Sequence, residues 1–491
     1  MSAGGDLRRL TRRAIAAHGG GKAGAVLEDL YTALLAAAIS VALVVGIANE
    51  VAGNLREAPG VRAGAEWFAW GALALLLGVT LGLAGRIGPI FLGAGYASWW
   101  LAAPVDRRGL LRPRLLTLAA VAFAVGTLAG LPIAILMGQF RLEVILGVGA
   151  LAALMANLAA VAQVRGAVRS VAPAGDGLLA LALAPLAVGA ATGGSAPAAP
   201  WWAVAVVGLA AAAAAGVLAD RSMERISGAQ VRERGLVAAG INSSARSFDT
   251  RELGFLLGSS AATTRTTRAS RAFRRVGRPV PALIVSEVMQ LARTPRHLIQ
   301  FLIGALVPLL VSFAGWGTWA LLLAAFFGGL LSASALGGPA RQAFQAPVLD
   351  SLWPLSQRAV RWSRTIVPSA AMMLLLAGVL PVAVGEKSPA WFFLALLAGP
   401  VFAAGILRSA YRKPVDWSAP LITTPDGQAI PPGAFSVISV GPDLIILAGL
   451  PLWLAIGVFG PAPALLVTQA ATSALALLAA TRTNDRRKCL E

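Results

Sequence analysis

Leu115–Val164 reads LLTLAAVAFAVGTLAGLPIAILM, then GQFRLE, then VILGVGALAALMANLAAVAQV. The two outer runs carry no charge and hold 23 and 21 residues. An α-helix rises 1.5 Å per residue, so about 20 apolar residues cross a hydrocarbon core of about 30 Å. Two such runs joined by six residues make a helical hairpin through a bilayer. The whole chain repeats this character: of 491 residues, 57% are hydrophobic and 13% charged, with a mean hydropathy of +0.74. That apolar content exceeds what a soluble core of this size uses. The 54 glycines and abundant alanines suit helices packing through small side chains in lipid, whereas an outer-membrane barrel would show alternating ten-residue strands. A soluble enzyme and a porin are both excluded.

Uncharged runs near twenty residues occur twelve times. They fall at Leu30–Asn49, Trp67–Gly85, Leu115–Met137, Val144–Val164, Gly177–Thr192, Trp201–Ala219, Leu298–Gly315, Thr318–Leu336, Thr365–Val384, Pro389–Leu407, Leu444–Gly460 and Pro461–Ala480. The fifth and eleventh are short for a crossing and read equally as broken or re-entrant segments. The expected fold is an all-α polytopic membrane protein of about 12 transmembrane helices. With the N-terminus inside, only Arg56, Arg62, Arg141 and Lys387 of the 41 basic residues fall on outer loops. That asymmetry obeys the positive-inside rule, so both termini are expected in the cytoplasm. The net charge of +19 is then explained by cytoplasmic loops facing anionic lipid, and nucleic acid is not an expected partner.

The runs divide six and six, and landmarks recur between the halves. Gly88-Pro89 returns as Gly338-Pro339, Pro104 as Pro354 and Arg114 as Arg364, each at an offset of 250, and Pro132 as Pro381 at 249. Two pseudo-repeated six-helix halves of the same orientation follow from an even number of spans per half. The expected domains are a cytoplasmic N-terminal amphipathic segment (1–29), a first transmembrane half (30–219), an Arg-rich cytoplasmic linker (220–297), a second half (298–480) and a cytoplasmic tail (481–491). The linker holds 14 arginines and no lysine. Asp249-Thr-Arg-Glu252 predicts a capping box opening a short helix, and Ser259–Arg275 reads as a polar stretch against anionic lipid. The linker serves either as a plain connector or as a docking surface for a soluble partner.

Catalytic and cofactor signals are lacking. The single Gly21-Lys22 is followed by Ala23, so there is no P-loop. No HExxH occurs, and the outer loops are too short to build a catalytic domain. Cys489 stands alone, which excludes a disulfide framework, and His18 and His297 are too few for a His-rich metal site. No metal, cofactor or catalytic residue is expected in this chain, and no cleavable signal peptide precedes Ala25. None of the twelve runs contains an ionisable residue, which argues against proton coupling, although a sodium site of carbonyls and hydroxyls would escape that test.

The most informative loop is Ile87–Arg114, IGPIFLGAGYASWWLAAPVDRRGLLRPR. Tyr96, Trp99 and Trp100 favour the headgroup level. Pro104 holds Ala103 extended, so Val105–Leu111 is expected to form a short separate surface helix. A Pro-Val-x-Arg-Arg-x-Leu-Leu surface helix after a second span resembles the cytoplasmic loop of type-2 ABC-transporter permeases. Glu287-Val-Met-Gln-Leu-Ala-Arg293-Thr-Pro295, followed by a span containing Pro308, is similar to the amphipathic interface helix and first span of the same family. In the first half the counterpart is the face Leu7, Leu10, Ala14 and Ile15, set among Arg8, Arg9, Arg12 and Arg13.

The resemblance implies the membrane subunit of an ABC transporter. Outer loops too short for a substrate receptor favour export, the apolar spans with Ser and Thr favour an amphipathic or lipid-like substrate, and the Ala/Gly/Arg-rich composition points to a bacterial cytoplasmic membrane. ATP and magnesium would be bound by a separate soluble ABC ATPase, in two copies, and not by this chain. Pro104, Asp106, Arg107 and Arg108 would mark one ATPase-docking helix, and Pro354, Gln357 and Arg358 a second. Glu287, Arg293 and Pro295 would mark the interface helix. Asp106 could instead cap its own helix, and anchoring to anionic lipid explains Arg112 and Arg114 as well as docking does. The second copy, SLWPLSQRAVRWSR, lacks the Asp and one Arg, which puts equal roles for the halves in doubt. Two other classes compete: a major-facilitator secondary transporter, to which Asp106-Arg-Arg-Gly109 is also similar, and a membrane scaffold without transport. Against the former, about twenty residues separate the second span from Asp106, where that family turns within a few.

Overall fold

The computed structural model describes residues 3–18, 46, 59–137, 141–185, 188, 199–246, 276–313, 317–346, 348, 350, 352–386, 388–412, 422–423, 429–430 and 439–482. They form two compact units, with the division between Ser244 and the helix that opens at Pro279. The break thus falls within the Arg-rich linker. Asp249–Glu252, Ser259–Arg275 and nearly all of the first apolar run, Leu30–Asn49, lie outside the described residues.

The first unit contains α1 (Ala3–His18), α2 (Pro59–Ile87), α3 (Ala94–Trp100), α4 (Arg107–Leu136), α5 (Leu142–Val164), α6 (Val168–Leu181), α7 (Trp201–Arg221) and α8 (Gly228–Arg246). Its main packing pairs are α4 with α5, α5 with α7, and α2 with α6. The second unit contains α9 (Pro279–Arg293), α10 (Pro295–Phe313), α11 (Gly317–Leu336), α12 (Gly338–Gln345), α13 (Gln357–Val384), α14 (Pro389–Ala410), α15 (Pro442–Ala448), α16 (Leu450–Leu454) and α17 (Pro463–Thr481). There α13 packs on α14, α10 on α11, and α14 on α17. Two-residue strands β1 (Ile422–Thr423) and β2 (Ala429–Ile430) pair antiparallel, Ile422 opposite Ile430. The protein is otherwise an all-α polytopic membrane protein.

Among the described residues, nine helices are long and apolar enough to cross a membrane, or ten if one bent pair counts as a span. Each of the nine contains or nearly coincides with a predicted run, and α2, α4 and α13 begin eight residues before theirs. Two of the short runs depart from simple crossings. The fifth begins earlier than expected, as α6, a 14-residue helix that includes Pro173 and Asp176; residues 186–187 and 189–192 of that run lie outside the described residues. The eleventh breaks at Gly449: α15 and the segment Leu450–Phe459 meet at 60°. Pro451 brings no N–H to the helix ladder and crowds the preceding turn. The freed groups are taken by α17, where buried Gln469 accepts from Leu452 N (3.1 Å) and donates to the Ala448 carbonyl (3.2 Å), and Thr472 Oγ1 donates to the same carbonyl at 2.8 Å. The break is thus satisfied by side chains, as irregular backbone at membrane depth requires.

Small residues set the closest helix approach. A Cβ on Gly175 of α6 would lie 2.5 Å from Gly82 N of α2, and one on Gly85 would lie 2.6 Å from Ala172 N. Backbone meets backbone there, which only glycine permits.

Candidate functional site: polar clusters at two helix starts

In the first unit the loop after α3 rests on an apolar floor built from Ile90, Leu92, Trp100, Leu110, Leu111 and Met223. Trp100 is therefore core and not a headgroup anchor as expected; its ring lies 4.7 Å from that of Tyr96. Trp99 remains outward, 80% exposed. A polar clamp holds the loop's start: Gln163 of α5 accepts from Ile90 N at 2.9 Å and donates to Ile90 O at 2.8 Å.

Asp106 is the N-cap of α4. Its Oδ2 accepts from Gly109 N at 2.7 Å, and its Oδ1 accepts from Gly4 N at 2.7 Å. One carboxylate thus caps α4 and, 102 residues back in sequence, the first turn of α1. Both helix starts are positive dipole ends, where an anion is favoured. Gly4 is needed for the approach, since a Cβ there would sit 2.3 Å from the Asp106 carbonyl oxygen. Thr11 Oγ1 of the same helix accepts from Trp100 Nε1 at 3.2 Å. The inward face of α1 therefore carries Gly4, Leu7 and Thr11; of the expected Leu7, Leu10, Ala14 and Ile15, Leu7 lies on it, Leu10 and Ala14 do not, and the Ile15 side chain lies outside the described residues. Leu10 is 61% exposed and Ala14 is exposed as well, because the glycine contact with Asp106 fixes the rotation of the helix.

Val105–Leu111 is not a separate helix. Arg107 opens a helix that continues to Leu136 with Pro113 and Pro132 inside; Pro113, the seventh residue, forgoes one i→i−4 bond without ending the helix. Arg107 Nη1 donates to the Ile226 carbonyl, and Arg108 donates to Asp220, with Nε at 3.0 Å from Oδ2. Arg112 Nε lies 3.6 Å from the other Asp220 oxygen. Asp220 sits at the C-terminal end of α7, where the dipole disfavours an anion, so these arginines compensate it. The Asp-Arg-Arg motif thereby ties α1, α4 and α7 together.

In the second unit Glu287 is 3% exposed on α9, whose Leu283, Glu287 and Leu291 share one inward face. Arg364 of α13 reaches Asp350 at 2.5 Å and Glu287 at 3.5 Å, and also donates to the Pro339 carbonyl at 3.4 Å. Asp350 holds the guanidinium more closely. Glu287 is pushed up to about 7, first by burial and further by Asp350, with Arg364 pulling the other way. Tyr411, at the end of α14, is raised to about 12 by burial; Arg361 stacks over its ring at 4.5 Å. Pro354, Gln357 and Arg358 are exposed at the start of α13, whose N-cap is Ser356, accepting from Ala359 N at 3.2 Å. Arg293 and Pro295 are exposed at the junction of α9 and α10.

One buried pair escaped the sequence reading. Arg86 of α2 donates to both oxygens of Asp176 on α6, at 2.7 and 2.8 Å, and is 3% exposed. Each residue lies one position beyond an apolar run, so a scan for uncharged stretches passed between them. Pro104, Asp106, Arg107 and Arg108 are brought together in one cluster. Glu287 joins Arg364 and Asp350, while Gln357 and Arg358 lie one to two turns before Arg364 on α13.

No curated protein and no solved structure matches this chain. Residues 61–420, most of its length, match the family of unknown function DUF6297, and the chain belongs to that family.

Proposed function

We propose that this chain is the permease subunit of an ATP-driven exporter of the type-2 ABC class, embedded in a bacterial cytoplasmic membrane with both termini inside and moving an amphipathic substrate. The observation that carries this reading is a shared device in the two units. In each, a short surface helix preceding the spans is bonded to the start of the unit's longest helix: α1 through Gly4 N and Asp106, α9 through Glu287 and Arg364. A push on a helix start would then reach the span through rigid connections, which is what an external ATPase requires.

The pseudo-repeat gains support from capping. Asp106 and Ser356, 250 residues apart, open helices of 30 and 28 residues with Pro132 and Pro381 near their ends. Six spans per half, twelve in all, as the apolar runs of the sequence divide, fit this pairing. Arg107 and Arg108 are engaged by their own unit, so the exposed Gln357 and Arg358 are the better direct contacts for an ATPase carboxylate. Neither the chain's own chemistry nor its sequence supplies nucleotide hydrolysis, which we assign to two copies of the soluble partner.

The buried Arg86–Asp176 pair favours a second reading, an ion-coupled secondary transporter, because such carriers keep ionisable groups at membrane depth. One preparation separates the two. The tagged chain is purified from its host in mild detergent, co-purifying proteins are identified by mass spectrometry, and vanadate-sensitive ATP hydrolysis is assayed. Recovery of a P-loop ATPase with activity, lost in Arg358→Glu, is expected. A chain that purifies alone and without ATPase activity overturns the permease reading.

A further inference from the structure

The second unit holds a cavity of about 470 Å³ between the end of α10, the starts of α11 and α14, the end of α13 and the π-helical turn Ala455–Phe459. Arg364 and Val384 stand twenty residues apart on α13, so the cavity and the Glu287–Arg364 cluster are separated by about 30 Å, one hydrocarbon thickness. Under the proposed topology the cavity faces outward. Most of its lining residues are apolar or glycine, Leu321, Ile456 and Val458 among them, but with Ser312, Thr318 and Glu386 present the surface open to the cavity is more polar than apolar.

Among the described residues Glu386 is the one ionisable group lining the cavity, and its Oε2 accepts from Trp391 Nε1 at 2.6 Å. The indole belongs to a side chain that is itself 2% exposed, so the acceptor oxygen is held at a fixed point of the wall. Among the described residues no basic side chain forms an ion pair with Glu386; Lys387 lies outside them. A fixed carboxylate in a cavity of ligand-sized volume, among aliphatic side chains such as Leu321, Ile456 and Val458, is matched by a ligand with one positive charge on an apolar body. The π-turn that forms one wall departs from regular α-helix geometry, as walls of binding sites often do.

We propose that this cavity binds a lipophilic organic monocation, with Glu386 as the charge-selecting residue. The assignment of that cation as exported cargo rests on the permease reading; its binding does not. The test therefore uses the purified full chain without nucleotide or ATPase, in neutral detergent, with radiolabelled tetraphenylphosphonium and tetraphenylborate as probes. The two ions share size and shape and differ in the sign of their charge. Saturable binding of the cation, at least tenfold tighter than the anion, is expected. Glu386→Gln, isosteric and at an exposed position, should weaken the cation about tenfold and leave the anion unchanged. Thr318→Trp, which fills the chamber from the exposed start of α11, should weaken both. Equal binding of the two ions, absence of saturable cation binding, or cation affinity unaffected by both variants overturns the proposal. Because no ATPase takes part, cation binding by a chain that recruits no ATPase would sink the exporter reading alone, and ATPase recruitment without cation binding would sink this one alone.

Discussion

Asp106 offers a clean separation of two helix caps. Its Oδ2 serves α4 and its Oδ1 serves α1, each at 2.7 Å. An N-cap carboxylate contributes roughly 0.5–2 kcal/mol, so the two together stabilise this end of the first unit by about 2 kcal/mol. Asp106→Asn keeps one carbonyl oxygen and replaces the other with an amide NH2, a donor facing another donor. Asp106→Ser keeps only the local reach to Gly109 N. In both variants α4 retains its cap, because the short local bond forms at least entropic cost, and α1 loses its anchor. A local loss of 1–2 kcal/mol raises the open population of α1 about 5- to 30-fold. Hydrogen–deuterium exchange of residues 3–18 in detergent reads this directly, with the first turn of α4 as internal control. The expected result is faster exchange in α1 by that factor and little change at residues 107–112. Unchanged protection of α1 in both variants, or equal loss of protection in α1 and α4, would refute the double-cap reasoning.

Two further outcomes follow from buried polar groups. Glu287 has a folded value of about 7 against an ordinary 4.5, so the fold favours its protonated form. That contribution is present below pH 4.5 and is lost as pH rises through 7, an effect of up to about 3 kcal/mol; thermal unfolding in detergent should fall from pH 5 to 8 more steeply for wild type than for Glu287→Gln, and parallel profiles would contradict it. Gln469→Leu strips Leu452 N and one bond to Ala448 O of their partner and should cost about 1–3 kcal/mol, lowering the melting temperature by several degrees, whereas Thr468→Ala, which removes an intrahelical hydroxyl bond on the exposed side of the same helix, should cost little.

The membrane class was legible because uncharged runs of twenty residues admit few other readings, and the hairpin Leu115–Val164 appears as α4 and α5 with shifts of at most eight residues at their ends. The ambiguity of the eleventh run was legible too, although Gly449-Leu-Pro451 and not mere shortness is its cause. Span scanning failed at Arg86 and Asp176. An ion pair between residues 90 positions apart leaves no periodic trace, and each partner alone looks like the polar end of a run. The rotation of α1 failed for a related reason: helical spacing marked Leu10 and Ala14, but a single glycine contact with Asp106 decides which face turns inward. For the docking loop, the motif Pro104–Leu111 was found, yet its charges proved to be structural ties within the first unit. Only contacts across 112 and 119 residues, to Asp220 and Ile226, distinguish a tie from a free surface charge, and no local pattern encodes them.

The glycine seam between α2 and α6 also limits how the first unit can move. With no side-chain layer between the backbones at Gly82, Gly85 and Gly175, there is nothing soft to shear, and Arg86–Asp176 pins the register at the end of the contact. The two helices form one stiff plate. Any change of shape in this unit must therefore run along its other seams, where side chains interdigitate and can exchange rotamers, such as those of α4 against α5 and α5 against α7. Enlarging Gly175 to alanine would pry the plate apart and leave those working seams in place, turning a fixed partition of the bundle into a moving one.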